Sequence, residues 1–372
     1  MRVAIDCRPL GSGLGGDETM VRGFLRGLAV CAGDGDRFSL LVPDDAAVPT
    51  EVARSPRFVG QRIPRHPGSF HFSVTLPRVL RSLEPRPQAV FSSVHAPMWG
   101  GVPTALMVND LSALRDPEWY PLRTRIRGQV TTRHQVPRAK VVLTVSEFSK
   151  REILGEFAIP PERVFVVPNT IDSPRALTPE EEQSCAQWLR GMRVHGPFVL
   201  YLGNLHPRKN VPRLVRAFVA ASRHELRGHQ LVIAGARWWG DDERQAMQHA
   251  YPGSVVMLGR VDDAQREYLL RSSRLLAYLS VYEGFGLPPV EAMARGTPVL
   301  AADRTSIPEV TGDAALLVDP FDVDAIGAAL VRLATDDALR AELRAKGLEQ
   351  AARFSVTETG TRALAALAAA VS

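Results

Sequence analysis

Residues 275–302 read LLAYLSVYEGFGLPPVEAMARGTPVLAA and contain the pattern that decides the fold. A short apolar run, LLAYLS, is followed by a loop, a helical stretch from about Pro289 through Ala294, and a second apolar run, TPVLAA. Two strand-like runs joined by a helix are typical of parallel strands in one sheet. The stretch therefore predicts a strand–helix–strand unit.

The same alternation extends along both halves of the chain. After residue 197 the strand-like runs are FVLYLG, QLVIAG, SVVMLG, LLAYLS, TPVLAA and AALLVD, separated by amphipathic helices such as VPRLVRAFVAAS. Before it, RVAID, FSLLVP, AVFSS, TALMV and VVLTVS alternate with helical or loop stretches. We expect an α/β protein of two Rossmann-like, doubly wound domains that face each other across a cleft, with ligands at the carboxyl ends of the strands.

Length and local composition suggest the domain boundaries. The chain has 372 residues, more than one core usually holds, so two domains are expected. Residues 173–197 are polar, with Pro near both ends, and break the alternation. We predict one domain over residues 1–173, a second over 174–354, and a helix over 355–372 that packs back on the first domain. The alternative for this helix is a simple cap on the second domain.

The loop of the opening stretch is the strongest candidate site. Its sequence EGFGLPPVE, residues 283–291, combines two glycines, Gly284 and Gly286, with the N-terminus of a helix. Glycine lets the backbone approach a ligand closely, and a helix N-terminus binds phosphate readily. Glu283 and Glu291 flank the turn and can accept hydrogen bonds from sugar or ribose hydroxyls. A first-turn dipole partner is an alternative for Glu291, but it explains neither Glu283 nor the glycines.

A second candidate lies at the end of the first strand of the second half. In LGNLHPRKN, Gly203 and Asn204 form the turn, and Arg208 and Lys209 lie where the loop meets the next helix. Arg supplies a fork of donors and Lys a point charge, a combination that suits a diphosphate. Arg–Lys pairs are common on surfaces, so the specificity comes from the glutamate pair that follows in the same half of the chain.

These motifs resemble glycosyltransferase family 4, whose members are retaining enzymes of the two-Rossmann-domain GT-B architecture, and within it the bacterial mannosyltransferase-like branch. The matching segments of the second half are YLGNLHPRKNVPRLVRAF, LVIAGA, VMLGRVDD, YEGFGLPPVEAMARGTPVLAAD and PEVTGDAALLVDP. Those of the first half are AIDCRPLGSGLGG, VLTVSEFSKREI and VFVVPNTID, and RFS at 353–355 matches the usual start of the final helix. The resemblance covers nearly the whole chain.

The resemblance implies a role for each matching position. Arg208 and Lys209 would hold the donor diphosphate and stabilise the leaving group, and Glu291 would bind the nucleotide ribose. Glu283 would hold the donor sugar. The other implied positions are backbone or loop contacts: the N–H groups of Phe285, Gly286 and Leu287 for the donor sugar, Arg260 and Val261 for the base pocket, and Gly15 and Gly16 for a first-domain loop near the diphosphate and acceptor.

One position departs from the family pattern. The family usually has a His before the Asp of HDL at the cleft edge of the first domain, where this chain has VNDL with Asn109 and Asp110. Asn can donate to a sugar hydroxyl but takes up no proton near neutral pH. Proton transfer at this position would therefore be lost, whereas positioning of the sugar would be kept. His95, after the preceding strand, either faces the same cleft or is a structural His in a turn.

Charge indicates the class of partner. The net charge is +5, and residues 51–140 contain thirteen Arg and one Lys against three Glu and two Asp, a balance of 14 − 5 = +9. Such a region attracts anions, a phospholipid surface among them, or it reflects an Arg-rich composition alone. It lacks the interleaved aromatic residues and motifs of nucleic-acid-binding proteins. We expect a nucleotide sugar and a hydroxyl acceptor as partners, no nucleic acid, and peripheral contact with the inner membrane surface as an open alternative.

The sequence also suggests the compartment and the cofactor requirement. The three cysteines are scattered, no signal-peptide pattern is present, and no run reaches the roughly 18 apolar residues of a membrane span. These features favour a cytoplasmic protein. The resemblance implies neither metal nor cofactor, because the nucleotide sugar is a substrate. The Asp-x-Asp strings Asp34/Asp36 and Asp322/Asp324 are typical of a turn and a helix start.

We therefore predict a retaining, metal-independent hexosyltransferase. It would move a hexose from a nucleoside-diphosphate sugar, GDP-mannose first and a UDP-hexose second, to a saccharide, lipid-linked or secondary-metabolite acceptor. An epimerase or hydrolase of the same fold and a binding module with weakened catalysis remain alternatives. So does an NAD-dependent oxidoreductase, suggested by GSGLGG at residues 11–16 but disfavoured by the CRPL segment between the strand and the first glycine.

Overall fold

The computed structural model describes residues 1–13, 15–93, 95–236, 247–248 and 250–372, and leaves the side chains of 123 and 127 undescribed. Within these ranges the chain forms two compact units, one of Met1–Ile171 with Phe354–Ser372 and one of Asp172–Arg353. Each unit contains a parallel β-sheet whose strands alternate along the chain with helices. This arrangement confirms the α/β fold class. Leu14, part of the GSGLGG string, lies outside the described residues.

In the described part of the first unit, seven parallel strands form one sheet in the order β3-β2-β1-β4-β5-β6-β7. The strands are β1 (Arg2–Asp6), β2 (Arg37–Pro43), β3 (Phe58–Ile63), β4 (Ala89–Ser92), β5 (Thr104–Met107), β6 (Val141–Thr144) and β7 (Val164–Val166). The sequence analysis did not identify β3 and β7 as strands. Both lie at sheet edges. Strand β3 contains polar and exposed residues, and β7 is only three residues long, so neither forms a compact apolar run in the sequence.

The helices of the first unit vary widely in length. They are α1 (Gly15–Cys31), α2 (Thr50–Ala53), α3 (Gly68–Phe70), α4 (Leu76–Ser82), α5 (Ser112–Arg115), α6 (Leu122–Gln135), α7 (Glu147–Glu156) and α15 (Val356–Val371). A π-helical segment, His71–Thr75, joins α3 to α4, and three 3₁₀ turns occur at Pro117–Trp119, Val136–Arg138 and Pro161–Arg163 in the described residues.

The C-terminal helix α15 packs against α1 and the strands β4 to β7. The two helices approach closely at a pair of glycines, because a Cβ on Gly27 would lie 2.7 Å from the Cα of Gly360. A Cβ on Gly360 would in turn overlap the carbonyl oxygen of Gly27. The Thr359 hydroxyl donates to the Pro168 carbonyl at 2.9 Å, so α15 is also tied to the segment after β7.

In the described part of the second unit, six parallel strands form one sheet in the order β10-β9-β8-β11-β12-β13. The strands are β8 (Phe198–Leu202), β9 (Gln230–Ala234), β10 (Val255–Gly259), β11 (Leu275–Tyr278), β12 (Val299–Ala302) and β13 (Ala315–Val318). The strand order reverses between the neighbours β8 and β11. In open α/β sheets such a switch point, at the carboxyl ends of the strands, is where ligands bind.

Four of the second unit's described helices connect strands of this sheet, and one of them lies within the opening stretch, residues 275–302. The helices among the described residues are α8 (Pro179–Gly191), α9 (Val211–Ser222), α10 (Asp263–Ser272), α11 (Leu287–Ala294), α12 (Ile307–Thr311), α13 (Val323–Thr335) and α14 (Asp337–Ala352). Helix α11 begins at Leu287, two residues before the predicted start at Pro289. Proline is tolerated in a first helical turn because the N–H that it lacks would have no intrahelical partner there.

Candidate functional site

The switch point brings the two candidate loops together. The loop after β8 contains the 3₁₀ turn Pro207–Lys209, and the loop after β11 contains Glu283. Because β8 and β11 are adjacent strands, both loops emerge at the same edge of the sheet. Asn210 fastens one to the other: its Nδ2 donates to the Leu279 carbonyl at 3.2 Å and to the Pro320 carbonyl at 2.7 Å. Asn210 has a left-handed φ of 60°, which asparagine tolerates better than most residues.

Glu283 is the centre of a buried cluster of charged groups. Its Oε2 accepts a hydrogen bond from Arg208 Nη1 at 2.5 Å, and its Oε1 accepts from Lys209 Nζ. Tyr278, at the end of β11, donates its hydroxyl to the same Oε1 at 2.8 Å and accepts from Lys209 Nζ at 2.6 Å. Arg208 Nη1 also donates to the Tyr282 carbonyl at 2.8 Å. The structure thus joins Arg208, Lys209 and Glu283 directly.

The charges of this cluster do not cancel. Burial raises the pKa of Glu283, but Arg208 and Lys209 outweigh it and hold the pKa at about 2, so the carboxylate is ionised at neutral pH. Burial, with a smaller contribution from Glu283, raises the pKa of Tyr278, which stays a neutral donor. Two cations therefore face one carboxylate, and the cluster keeps an excess of one positive charge.

His206 adds no charge to the cluster. Burial and the neighbouring Arg208 and Lys209 lower its pKa to about 3, so it is neutral near pH 7. Its Nδ1 accepts a hydrogen bond from the backbone N–H of Arg208 at 3.3 Å, which helps to fix the turn that carries the two cations. The sequence analysis assigned His206 no role.

The loop around Glu283 is held by the segment after β12. The backbone N–H of Glu283 donates to Thr305 Oγ1 at 3.2 Å. The Ser306 hydroxyl is directed at the carbonyls of Glu283 and Phe285, at 2.9 and 3.0 Å. Gly286 caps α11 with a left-handed φ of 101°, and a Cβ there would lie 2.6 Å from Ile307 Cδ1. The left-handed φ therefore favours glycine at Gly286 in the turn from Glu283 to Leu287.

Glu291, the second glutamate of the pair, lies at the buried side of α11. Its Oε1 accepts from Arg266 Nη1, on α10, at 2.5 Å. Burial lowers the pKa of Arg266, but the charge of Glu291 outweighs it, and the net shift is upward. Glu291 and Glu283 therefore bind different cations. Nothing in the spacing of the sequence distinguishes Arg266 from an arginine on an exposed helix face, and the sequence analysis missed it.

The remaining predicted residues of the second unit lie along the same edge of the sheet. The N–H of Gly203 donates to the Ala234 carbonyl at 2.9 Å, and Asn204 supplies a carbonyl to the Tyr201 hydroxyl at 3.1 Å. A Cβ on Gly235 would overlap the Gly203 carbonyl, so the ends of β8 and β9 meet without space for a side chain. Arg260 and Val261 follow β10, which β9 separates from β8.

In the first unit, the structure connects Asn109 to the first turn of α1. Gly15 and Gly16 lie in this turn and not in a loop as the sequence analysis expected, because the helix already begins at Gly15. Asn109 Nδ2 donates to Asp17 Oδ1 at 2.9 Å, and Asp17 directly follows the two glycines in the first turn of α1. A Cβ on either glycine would meet no atom within 4 Å, so the start of α1 borders open space. The Oδ1 of Asn109 is buried and has no hydrogen-bond partner among the described residues.

Asp110 and His95 have local contacts. Asp110 Oδ1 accepts from the N–H and the hydroxyl of Ser112, at 2.9 and 2.6 Å, and so closes the turn that begins α5. The His95 ring packs edge-on against Phe72, with centroids 4.9 Å apart, and its carbonyl accepts from the Ser92 hydroxyl at 2.5 Å.

The described residues include no group of three or more His, Cys, Asp or Glu side chains placed to hold a metal ion. Asp322 is the N-cap of α13, where its Oδ1 accepts from the Ala325 N–H at 2.9 Å. Asp36 binds the N–H of Gly33 at 3.0 Å in the turn before β2. No helix within the described ranges has the length and apolar composition that crossing a membrane demands.

With this geometry described, two family models identify the class of protein. Residues 14–175 match the family model "Glycosyltransferase Family 4", and residues 191–350 match "Glycosyl transferases group 1". The chain therefore belongs to the glycosyltransferases, with one domain of each model in this order. Crystal structures with the same fold include Anabaena Alr3699/HepE in complex with UDP and glucose, at a TM-score of 0.73, 18% identity and 99% coverage of both chains. A second is WaaG, a glycosyltransferase involved in lipopolysaccharide biosynthesis, at a TM-score of 0.71, 17% identity and 98% coverage of both chains.

Sequence relatives are bacterial mannosyltransferases. The chain is 36% identical to O-antigen chain mannosyltransferase B of Escherichia coli over 251 residues, which is 66% of this chain and 65% of that protein. It is 34% identical to the MMP alpha-(1->4)-mannosyltransferase of Mycolicibacterium hassiacum over 221 residues, or 58% of this chain and 51% of that protein. The match thus spans less than two thirds of either relative.

Proposed function

We propose that this protein is a retaining glycosyltransferase that transfers mannose from GDP-mannose to a hydroxyl of a saccharide or lipid-linked acceptor. The observation that carries the proposal is the cluster of Arg208, Lys209 and Glu283 at the switch point, with its excess of positive charge. A nucleoside diphosphate becomes more negative as its bond to the sugar breaks. Cations already fixed at that place stabilise this charge without reorganisation, which lowers the barrier.

Arg208 and Lys209 can bind a phosphate while they remain paired with Glu283. A guanidinium has five N–H donors and an ammonium three, so neither cation needs to leave Glu283 in order to contact a phosphate oxygen. In this proposal Glu283 orients Arg208 and Lys209 and presents its carboxylate to a hydroxyl of the donor sugar. The N–H groups of Phe285, Gly286 and Leu287 precede two prolines and supply the amide donors of the turn.

Glu291 would bind the ribose, and Arg266 would orient its carboxylate. Arg260 and Val261 would line the base pocket, and Gly203 and Asn204 would shape the turn before the diphosphate. From the first unit, Asn109 would position the sugar through its buried Oδ1. Gly15 and Gly16 would leave room for the diphosphate and the acceptor, while Asp110 and His95 would support that wall.

Mannose is the first donor sugar to test because the named sequence relatives are mannosyltransferases. A UDP-hexose is the second, since the fold relative from Anabaena was crystallised with UDP and glucose. The acceptor is proposed only by class, as a carbohydrate with free hydroxyls, since the relative from Escherichia coli is named for the O-antigen chain. We also propose that transfer needs no metal ion, because Arg208 and Lys209 supply the positive charge that a metal would provide.

The experiment supplies GDP-mannose or UDP-glucose to the purified chain with a panel of mannoside acceptors and follows products by mass spectrometry. The proposal predicts acceptor-dependent mannosylation that persists in EDTA, with an α-linked product from the α-linked donor by NMR. Free hexose without acceptor mannosylation would favour a hydrolase, and an isomerised donor an epimerase. Nucleotide binding without turnover would favour a binding module, and quenching of NADH fluorescence would favour an oxidoreductase.

A further inference from the structure

Thr305, in the segment after β12, has a backbone conformation that threonine rarely adopts. Its φ is 59°, in the left-handed region. Among the described residues, only Arg193 and Asn210 share a positive φ with Thr305 apart from glycines, and neither is β-branched. A left-handed φ is a steric outlier for a β-branched residue, because the branched Cβ crowds the backbone. The surrounding structure therefore holds Thr305 in a strained conformation.

A tight turn fixes this conformation. The N–H of Ile307 donates to the Arg304 carbonyl at 3.2 Å, so Thr305 and Ser306 are the two central residues of a turn between β12 and α12. Glycine or asparagine is usual where such a turn has a positive φ. The demands of the turn therefore do not explain why threonine occupies this position.

The hydroxyl of Thr305 provides a reason. Its Oγ1 accepts a hydrogen bond from the N–H of Glu283 at 3.2 Å and donates one to the Arg304 carbonyl at 2.8 Å. A hydroxyl has one proton, and because the Arg304 carbonyl accepts it, the lone pairs of Oγ1 are available to Glu283. The methyl group on Cβ restricts rotation about χ1, so the oxygen keeps this orientation. A glycine at this position would relieve the strain but would leave the N–H of Glu283 without this acceptor.

Thr305 and Ser306 together hold both polar groups of the Glu283 backbone. Thr305 accepts from the N–H, and the Ser306 hydroxyl lies 2.9 Å from the carbonyl. Glu283 lies outside helices and strands, so it has no regular backbone partners for these groups. Its carboxylate, in contrast, is fixed by Arg208 and Lys209 from the neighbouring loop. The direction in which the side chain leaves the backbone therefore depends on Thr305 as well as on the two cations.

We propose that Thr305 is a positioning residue for sugar transfer and that it acts through the backbone of Glu283. This inference rests on the proposed function, in which Glu283 presents its carboxylate to a hydroxyl of the donor sugar. Such a hydrogen bond is strong only within a narrow range of distance and angle, so a small displacement of Glu283 slows catalysis. The strain at Thr305 is tolerated because its oxygen keeps Glu283 in place.

The test compares Thr305→Val with Thr305→Ser. Valine keeps the β-branch and nearly the shape of threonine but has no hydroxyl, whereas serine keeps the hydroxyl. The matched control is Thr335→Val on α13, because the Thr335 hydroxyl also donates to a carbonyl at 2.8 Å, that of Val331. Three quantities are measured for each protein: hydrogen exchange of the Glu283 amide, GDP affinity by calorimetry, and kcat for mannosylation of a soluble acceptor.

Thr305→Val should exchange the Glu283 amide at least about tenfold faster than the wild type, because the N–H has lost its acceptor. Its kcat should fall about tenfold, which corresponds to one lost hydrogen bond. GDP affinity should change by less than about twofold, since Arg208 and Lys209 stay paired with Glu283 and GDP carries no hexose. Thr305→Ser and Thr335→Val should match the wild type in all three measurements.

Unchanged exchange of the Glu283 amide in Thr305→Val would overturn the inference. An active wild type with an equally active Thr305→Val would do the same, and so would a Thr305→Ser variant that is as impaired as Thr305→Val. Equal losses of GDP affinity and kcat would assign Thr305 to general support of the loop and would contradict positioning. Urea unfolding of each variant identifies a loss caused by misfolding. A wild type that transfers no mannose contradicts the proposed function, whereas the exchange measurement needs no transfer and tests the contact with Glu283 by itself.

Discussion

Two buried glutamates of the second unit, Glu267 and Glu283, bind basic side chains in different proportions. Glu267 on α10 binds one cation, Arg295 after α11, at 2.6 Å, and both side chains are buried. Glu283 binds two cations, Arg208 and Lys209. The first pair is balanced and joins two helices, whereas the second leaves one positive charge at the carboxyl edge of the sheet. The proportion of charges therefore differs between this structural ion pair and the proposed site for an anion, whose cations Arg208 and Lys209 are also more exposed, at 20% and 11%, than Arg295 at 2%.

The largest expected effect concerns the balanced pair. Glu267→Leu leaves the Arg295 guanidinium buried without its carboxylate, which should lower the free energy of unfolding by about 3–5 kcal/mol in urea titrations. The double variant Glu267→Leu with Arg295→Met removes both charges and should regain most of the loss. If the double variant is as unstable as the single one, charge pairing does not explain the stability of this contact.

Lys209→Met should act on catalysis more than on folding. Arg208 still balances Glu283 in this variant, so unfolding should change less than in Glu267→Leu. The site loses its excess charge, and kcat should fall about a hundredfold, the usual cost of one electrostatic donor. The matched control is Lys346→Met, which should keep full activity. Lys346 lies on α14 and pairs with Glu342 of the same helix and with Asp313. Equal kcat values for Lys209→Met and Lys346→Met would contradict the functional distinction between the Glu283 cluster and the Glu267 ion pair.

Glu291→Gln should weaken GDP binding by about tenfold, because the ribose loses a hydrogen bond to a charged acceptor. A GDP analogue without ribose hydroxyls should bind the variant and the wild type equally. Calorimetric titration of both ligands into both proteins checks this prediction. If the analogue loses as much affinity as GDP, Glu291 supports the fold of α11 through Arg266 and does not contact the ribose.

A further expected effect is on the pH dependence of stability. His206 has a pKa of about 3 in the folded chain against an ordinary value of 6.5. As the pH falls, the imidazole is therefore protonated in the unfolded chain at a higher pH than in the folded chain. Its contribution to stability is complete above pH 6.5 and is lost as the pH falls toward 3. One proton corresponds to a slope of at most about 1.4 kcal/mol per pH unit. His206→Asn should flatten the unfolding free energy between about pH 6.5 and 4.5, before Glu283 contributes, and an unchanged slope would contradict this origin.

The fold class could be predicted because each buried strand of a parallel sheet is a compact apolar run. The stretches VPRLVRAFVAAS and LLAYLS correspond to α9 and β11, since their periodicity and length suffice to identify them. The edge strand β3 could not be recognised, because its sequence FVGQRI includes polar residues that face solvent. The start of α11 was placed two residues late because prolines in a first turn do not show which of them begins the helix.

The candidate site could be predicted only in part. Residues within one motif, such as Arg208 and Lys209, are recognisable from their position after a strand. Partners from distant segments are not: Arg266 reaches Glu291 from another helix, and Thr305 and Ser306 reach the Glu283 loop from the end of β12. Tyr278 resembles a core residue in the sequence, and only the fold turns its hydroxyl toward Glu283. Such contacts depend on the order of the strands in the sheet, which the hydrophobic periodicity of the sequence does not specify.

The most direct test of the central claim is a calorimetric titration of GDP, and in parallel UDP, into the wild-type chain, Lys209→Met and Lys346→Met. The excess positive charge at Glu283 predicts that one of these nucleotides binds the wild type and Lys346→Met equally. Its affinity for Lys209→Met should be at least about tenfold lower, because a charge-assisted contact to the diphosphate is lost. Equal affinity for Lys209→Met, or no binding of either nucleotide to the wild type, would contradict the claim.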